Sequence, residues 1–503
     1  MKIAQIKTIQ PHVLDGTVIT VEVDISRGLH SFAIVGLAGK AVDEAKDRVG
    51  SAIKHSGFTS PKTKNQKVII SLSPADVKKE GPLFDLPIAI AYLTATGDIP
   101  APADSSVFIG ELGLDGRLRP VKGILNCVMA AKQAGFAEVF VPEANAEEAA
   151  LVSDIHVYAA DSLETVINHL RNEQTEQPVL SPQERTTVPD GWYDSAITLE
   201  DIKGQESAKR GLIIAAAGKH NVMLVGPPGT GKTMLARALR GLLPPLSREE
   251  SLSVTAIHSL AGQETSITSR PPFRSPHHTA SHIALVGGGT NPKPGEITLA
   301  HKGVLFMDEF PEFERRSLDA LRQPLEERVV TISRVQGSAE FPADFILIAA
   351  LNPYRGQEDG TTDLLGAMSS TYKNKISGPI LDRIDIWLEV PHIDFDTLQN
   401  FARKKGETES ARSQILTARK IMASRIGEDK TNAYLSARDI ENKIVLSSEV
   451  TTLLKQASQK LNLSPRSYHK LLKVARTIAD IDNSAEITPP HVLEALQYRV
   501  PSL

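Results

Sequence analysis

The run Gly226-Pro227-Pro228-Gly229-Thr230-Gly231-Lys232-Thr233 has the spacing GxxxxGK[ST]. Glycines at 226, 229 and 231 let the backbone close on a polyphosphate, so that its N–H groups and the start of a following helix face the anion. Lys232 has the reach for the terminal phosphates, and the Thr233 hydroxyl suits Mg²⁺. An ordinary Gly/Pro turn shares this composition. Here, though, the apolar run Val222 to Val225 precedes the loop and a Leu- and Ala-rich stretch follows it, which are the strand and helix a phosphate loop needs. The expected chemistry is binding of ATP or GTP.

Four further positions fit the same chemistry. Asp308 and Glu309 close the run GVLFMDE. Asp308 is expected to hold Mg²⁺ through water, and Glu309 to orient and deprotonate the attacking water. Alone, such a pair could merely cap the next helix. Asn352 ends the apolar run Phe345 to Leu351, where its amide can position the γ-phosphate or the water. Arg383, in ISGPILDRIDI, stands in a polar turn before another apolar run. It could stabilise the charge of phosphoryl transfer in a neighbouring subunit, or pair locally with Asp382 or Asp385.

Elements must hold these groups together. The runs 222–225, 304–307 and 345–351 lack alternation, as strands buried on both faces of a parallel sheet do. The carboxyl ends of such strands open onto the ligand crevice, and Gly226, Asp308 and Asn352 each follow one of them. After Pro391 the pattern turns helical, with apolar residues three and four apart in Ala411 to Ile426, Ser448 to Leu461, Tyr468 to Ile481 and Pro490 to Tyr498. Ser436 caps one helix start, and Thr488 before Pro489 and Pro490 marks another.

The first 170 residues alternate short strands and helices: strands at Val18 to Ile25, Val68 to Leu72, Val107 to Ile109 and Val139 to Val141, helices at Val42 to His55 and Ile124 to Ala134. Arg171 to Gly191 is polar and proline-bearing with little to bury, a linker. The expected divisions are residues 1–170, a linker 171–196, an ATPase domain 197–391 and a helical lid 392–503. A chain of 503 residues with one cysteine, Cys127, and a formal charge of −4 excludes an internal disulfide and a globally basic surface. Without a secretory leader or a membrane-length apolar run, a cytoplasmic location is expected.

The first division resembles the ribosomal-S5-like fold of the Lon protease domain, through KKEGPLFDLPIAIA (Lys78 to Ala91) and FIGELGLDGRLRPVKGIL (Phe108 to Leu125). The positions of the serine nucleophile and lysine base are Leu83 and Leu125, which cannot do that chemistry. The phosphate loop, DEF, LNP, GPILDRID and SPRSYHKLLKVARTIAD resemble the magnesium-chelatase-like AAA+ ATPases. Nearly the whole chain resembles the YifB/ComM family, most specifically in FRSPHHTASHIALVGGGTNPKPGEITLAHKGVLFMDE. The resemblance implies a P-loop AAA+ parallel-sheet domain of α/β class with a helical lid, preceded by a Lon-like α+β domain. It makes Asn352 sensor 1, Arg383 the arginine finger and Arg466 sensor 2. It also implies a homo-oligomeric ring, expected to be a hexamer, that uses ATP and Mg²⁺ on DNA.

From Thr265 to Gly295 there is no Asp or Glu, while Arg270, Arg274 and Lys293 are cationic and His277, His278 and His282 lie among them. By the resemblance this stretch is the insertion facing a central channel, and VVTISRV carries Arg334 on a presensor hairpin. These four cations are the candidate DNA contacts. A metal pair at His277 and His278 is disfavoured, since adjacent histidines point apart on a strand and no carboxylate is near in sequence. The function expected is an ATP-dependent DNA translocase, a branch-migration helicase in recombination or transformation. A chelatase-type motor remodelling a protein partner is the competing reading; the Lon-like domain counts for the first, since chelatase motor subunits lack it. A protease is disfavoured by Leu83 and Leu125, and no membrane partner is expected.

Relatives follow the Asn-Pro with cysteine pairs that resemble a zinc knuckle, whereas Asn352 to Tyr372 holds none. Elemental analysis of purified protein should therefore find no stoichiometric zinc; about one zinc per chain would overturn this, because a tetrahedral site needs ligands absent from that stretch.

Overall fold

The computed structural model describes residues 3–12, 14–172, 179–189, 191–263, 267–289, 293–334, 337–352, 376–393, 399, 404–428 and 430–499. They form two compact units, Met1–Pro189 with Ser251–Thr268, and Asp190–Glu250 with Ser269–Leu503.

The first unit is built on a seven-stranded mixed sheet. Its order is Ser31–Val35, Gln66–Ser73, Asp15–Arg27, Ala4–His12, Ser106–Phe108, Glu138–Pro142 and His156–Ala160. The alternation read at Val18 to Ile25 puts Ile19, Val21 and Val23 fully inside. The helices Asp85–Thr96 and Ile124–Gln133 pack on the two longest strands. Leu83 and Leu125 are both buried in this core. Asp85 is buried too, and accepts Arg48 Nε at 2.6 Å, Arg48 Nη2 at 3.0 Å and the Leu112 N–H at 3.2 Å.

Two features of this unit differ from the sequence reading. The stretch expected to bury little lays Leu180 and Val188 on the core, and the Gln183 N–H donates to Val157 O at 2.7 Å. Most of the helix Arg248–Ala261 also counts with this unit: Ala256 joins the core, and the Gly123 N–H donates to Ser259 Oγ at 3.1 Å.

The second unit holds a five-stranded parallel sheet in the order Phe273–Arg274, Val304–Met307, Ile346–Leu351, Val222–Val225 and Ile386–Glu389. Every residue of the three inner strands is buried, which is why they showed no alternation. The helix Glu206–Gly218 carries the lid helices Glu407–Ile426 and Pro465–Ile481. Ser436 closes a capping box with Asp439, and Thr488 one with His491, where the sequence signals stood.

Buried polar chains tie the lid to the sheet. Thr477 Oγ1 and His220 Nε2 are 2.8 Å apart, and His220 Nδ1 is 3.2 Å from Asp385 Oδ2. Asp344 receives Lys302 Nζ at 3.0 Å and the Tyr434 hydroxyl, with Lys219 Nζ and Arg328 Nε at 3.6 Å. Burial alone would raise its pKa. The Lys219 and Lys302 charges and the Tyr434 hydroxyl overcome that, holding the carboxyl well below the carboxylate range.

Asp344→Asn strands these cations, an effect of about 3 kcal/mol for a buried pair broken on one side. A depressed folded-state pKa contributes stability above the ordinary carboxylate pKa of about 4 and loses it as pH falls further. Thermal unfolding should therefore show a lower Tm for Asp344→Asn at pH 7, with the gap to the parent closing below about pH 4. An equal gap at both pH values would contradict the charge argument.

Candidate nucleotide site

Gly226 follows the central strand Val222–Val225, and its N–H donates to Leu351 O at 3.2 Å. A Cβ there would lie 2.1 Å from Val390 O, so only glycine fits. Gly229 and Gly231 have φ of 79° and 91°, with open space where a Cβ would be. The helix Lys232–Leu242 starts at once, and no side chain caps its first N–H groups. Those uncapped donors, with open space at Gly229 and Gly231, offer the cradle an anion needs. Lys232 is buried, and burial lowers its pKa. Its Nζ donates to Gly226 O at 2.8 Å and Pro227 O at 2.7 Å, and Thr230 Oγ1 also donates to Pro227 O, at 3.0 Å.

Register brings the other groups to the same sheet edge. Val225 pairs with Leu351 and Met307 with Ala349, so Gly226 and Asn352 leave neighbouring strands level with one another and Asp308 leaves the same edge two residues earlier. Thr233 Oγ1 is 3.4 Å from Asp308 Oδ2. Asp308 Oδ1 accepts the Glu309 N–H at 2.9 Å. Glu309 has φ 50° and ψ 45°, and His278 Nδ1 lies 2.9 Å from its Oε2. Asn352 Oδ1 is buried without a hydrogen-bond partner among the described residues. One hydroxyl and one carboxylate suit Mg²⁺, which keeps several waters and takes its other ligands from phosphate. No cluster of three His, Cys, Asp or Glu suited to a metal occurs among the described residues.

The two arginines are elsewhere. Arg383 precedes the strand Ile386–Glu389, whose Ile386 pairs in parallel with Val222, so it lies at the amino edge of the sheet. The local pairs foreseen for it do not form: Asp385 holds His220, and Arg383 pairs with Glu326. Arg466, in the first turn of Pro465–Ile481, also reaches Glu326, at 3.3 Å, and Asp382 at 3.8 Å. Both line a cavity of about 240 Å³ with Glu326, Lys470 and Lys473. Structure thus gathers Gly226 to Thr233, Asp308, Glu309 and Asn352 at one edge, and Arg383 with Arg466 at the other.

The basic candidates fare unequally. Arg274 is committed to Glu296, one residue beyond the acid-free stretch, at 2.6 and 2.7 Å. The Arg270 guanidinium lies 5.4 Å from the Tyr193 ring centroid, while Lys293 is exposed. Arg334 sits in the hairpin of Val329–Arg334 with Gly337–Pro342, and its side chain lies outside the described residues, as do positions 353–375. His277 and His278 do not diverge, because they occupy a turn; their ring centroids are 4.2 Å apart. The carboxylate near His278 is Glu309, distant in sequence, so no local signal announced it.

Family profiles match in three blocks: magnesium chelatase, subunit ChlI, over residues 198–398; subunit ChlI of Mg-chelatase over 21–145; and its C-terminal part over 405–499. The chain is 44% identical over 486 residues to competence protein ComM of Haemophilus influenzae, covering 96% of this chain and 94% of that protein. The chain belongs to the ComM/YifB family. YifB of Salmonella typhimurium is 43% identical over 490 residues, with the same coverage, 96% and 94%. A partial likeness, 27% over 177 residues and 33% of this chain, links it to the peroxisomal Lon protease homolog 2 of Caenorhabditis elegans, where it covers 22% of the protein. The fold is that of magnesium-chelatase-type AAA+ ATPases, with a P-loop parallel sheet, a helical lid and a Lon-like amino-terminal domain. No helix among the described residues is long and apolar enough to cross a membrane.

Proposed function

We propose that this protein is an ATP-driven DNA translocase, a ComM-like branch-migration motor acting as a homo-oligomeric ring, expected to be a hexamer. The observation that carries the ring is the division of the site: Arg383 and Arg466 stand at the sheet edge opposite Gly226. A chain that keeps its charge-stabilising arginines away from its own phosphate loop completes catalysis with a neighbour. The same division answers for Arg466, which in this reading acts in trans beside Arg383.

Within the site each residue has one task. The loop N–H groups and Lys232 hold the phosphates, Lys232 exchanging the carbonyls of Gly226 and Pro227 for phosphate oxygens. Thr233 and Asp308 would hold Mg²⁺, which neutralises phosphate charge when bound. Asn352 orients the water, and Glu309 takes its proton. The neighbour's Arg383 and Arg466 meet the charge that develops on the transferred group.

DNA is the cargo that likeness to a competence protein over nearly the whole chain supports best. Contacts from Lys293, Arg270 and Arg334 would be to phosphates, independent of sequence and salt-sensitive, as a moving ring requires. Arg274 is recast as an anchor of the loop through Glu296. The three chelatase matches keep a protein-remodelling motor as the second reading.

The test is ATP turnover with and without single-stranded, duplex and branched DNA. Several-fold stimulation is expected, with Glu309→Gln keeping nucleotide binding but losing at least ~10²-fold in turnover. Indifference to every DNA would favour the second reading, and parental turnover by Glu309→Gln would remove Glu309 from the role of base.

A further inference from the structure

Arg383 and Arg466 come from different elements, yet both guanidinium groups end on one oxygen. Arg383 Nη2 pairs with Oε1 of Glu326, and Arg466 Nη2 lies 3.3 Å from that same atom. Two guanidinium groups that share an acceptor are close enough to repel, and water screens them poorly because Arg383 is mostly buried. Its Nε is buried without a hydrogen-bond partner among the described residues. Asp382 reaches Arg466 alone, at 3.8 Å, and Asp385 is taken by His220. Glu326 is therefore what bridges the two arginines among the described residues. The bond from Arg383, with the charges of Arg383 and Arg466 behind it, holds the Glu326 carboxyl below its ordinary range against the effect of burial. The bridge is charged at neutral pH.

Each partner is delivered by a fixed backbone. Glu326 belongs to the helix Arg322–Glu327, which ends at Arg328 with φ 59°. The Arg328 N–H donates to Pro324 O at 3.0 Å, and its carbonyl accepts the Ala343 N–H at 2.7 Å. Gln323 ties the same helix to the next strand: its Nε2 donates to Thr331 Oγ1 at 2.9 Å, and its Oε1 accepts the Thr331 N–H at 3.3 Å. Arg383 follows the short helix Gly378–Leu381, and its carbonyl accepts Asn221 Nδ2 at 3.0 Å. Arg466 stands in the first turn of a helix capped by Ser464, and Lys470, one turn on, donates to Ile384 O at 3.0 Å. What these anchors leave open is the direction of two long, rotamer-rich side chains. The shared carboxylate closes that freedom.

We propose that Glu326 is a positioning residue that gathers Arg383 and Arg466 into one paired tip, so that both reach a single phosphate of the neighbouring chain together. This rests on the reading that the two arginines act between chains, and it adds the residue that orients them. Glu326 touches neither nucleotide nor water; it acts through the arginines. Arg466, with 59% of its side chain exposed, stays open to the neighbour. Without the carboxylate the guanidinium groups repel and separate, and the transferred phosphate meets them one at a time. Misplacing a catalytic group by about 1 Å costs up to ~10²-fold in rate.

The test compares Glu326→Ala and Glu326→Gln in the full chain. kcat should fall roughly ten-fold or more for Ala, and less for Gln, which keeps an acceptor oxygen without the charge. Fluorescent-nucleotide Kd should stay within about two-fold, because the phosphate loop is at the other sheet edge. Mixed rings separate positioning of the arginines from support of the fold. Glu326→Ala with Lys232→Ala should recover turnover, since the Lys232→Ala chain lends a well-placed pair to the intact loop beside it. Glu326→Ala with Arg383→Ala should stay as low as the separate variants, because neither chain offers a competent pair. The Gln variant carries the comparison should the Ala variant melt early. Parental or raised kcat in both variants contradicts the assignment, as does recovery with Arg383→Ala instead of Lys232→Ala. Arg383→Ala with Lys232→Ala is the control. Recovery there but not for Glu326→Ala sinks the role of Glu326 alone, whereas no recovery there removes the between-chain reading and this role with it.

Discussion

Everything at the nucleotide edge depends on strand register. Parallel pairing of Val225 with Leu351 and of Met307 with Ala349 makes three strands end at one edge of the sheet, the strand Val304–Met307 two residues short of the other two. From that edge Gly226, Asp308 and Asn352 emerge as neighbours although they are far apart in sequence. The constraint is tight at its centre, where Val390 O leaves no room for a Cβ on Gly226. A slip of one residue would turn every side chain to the other face and scatter the constellation.

The same parallel geometry explains what one chain lacks. Residues leading into a strand of a parallel sheet lie at the edge opposite to residues leaving it. Arg383 precedes Ile386–Glu389, so it is at the far edge from Gly226 by construction, and Glu326 holds it with Arg466 in one cluster. On the proposed reading these are two half-sites that a ring would bring together. Buried chains through Asp344 and through His220 to Asp385 fix the lid that carries Arg466 to the sheet that carries Arg383. The cluster can then be presented to a neighbour as one rigid face.

The nucleotide edge was largely legible in the sequence because its information is local. A glycine-rich loop, an unalternating apolar run and an acidic pair each announce themselves within a few residues. The Leu83 and Leu125 positions were legible for the same reason, and the structure has both in the core. What escaped was long-range. Glu309 lies far from His278 in sequence, so the pair had no signature, and the histidines were expected to diverge on a strand that is in fact a turn. Arg274 looked free only because the acid-free stretch stops one residue short of Glu296. The helix Arg248–Ala261 comes after the phosphate-loop helix in sequence, yet Ala256 is buried in the core of the amino-terminal unit. Composition cannot tell which core an apolar helix face will join.

The central claim is that catalysis is completed between chains, and mixed assemblies test it most directly. Arg383→Ala keeps an intact phosphate loop, Lys232→Ala keeps an intact arginine, and each alone should hydrolyse ATP at roughly a thousandth of the parental rate or less. In rings verified to contain both, the account predicts recovered turnover, because a Lys232→Ala chain lends Arg383 to its neighbour's loop. Verified mixed rings no more active than the separate variants would contradict it.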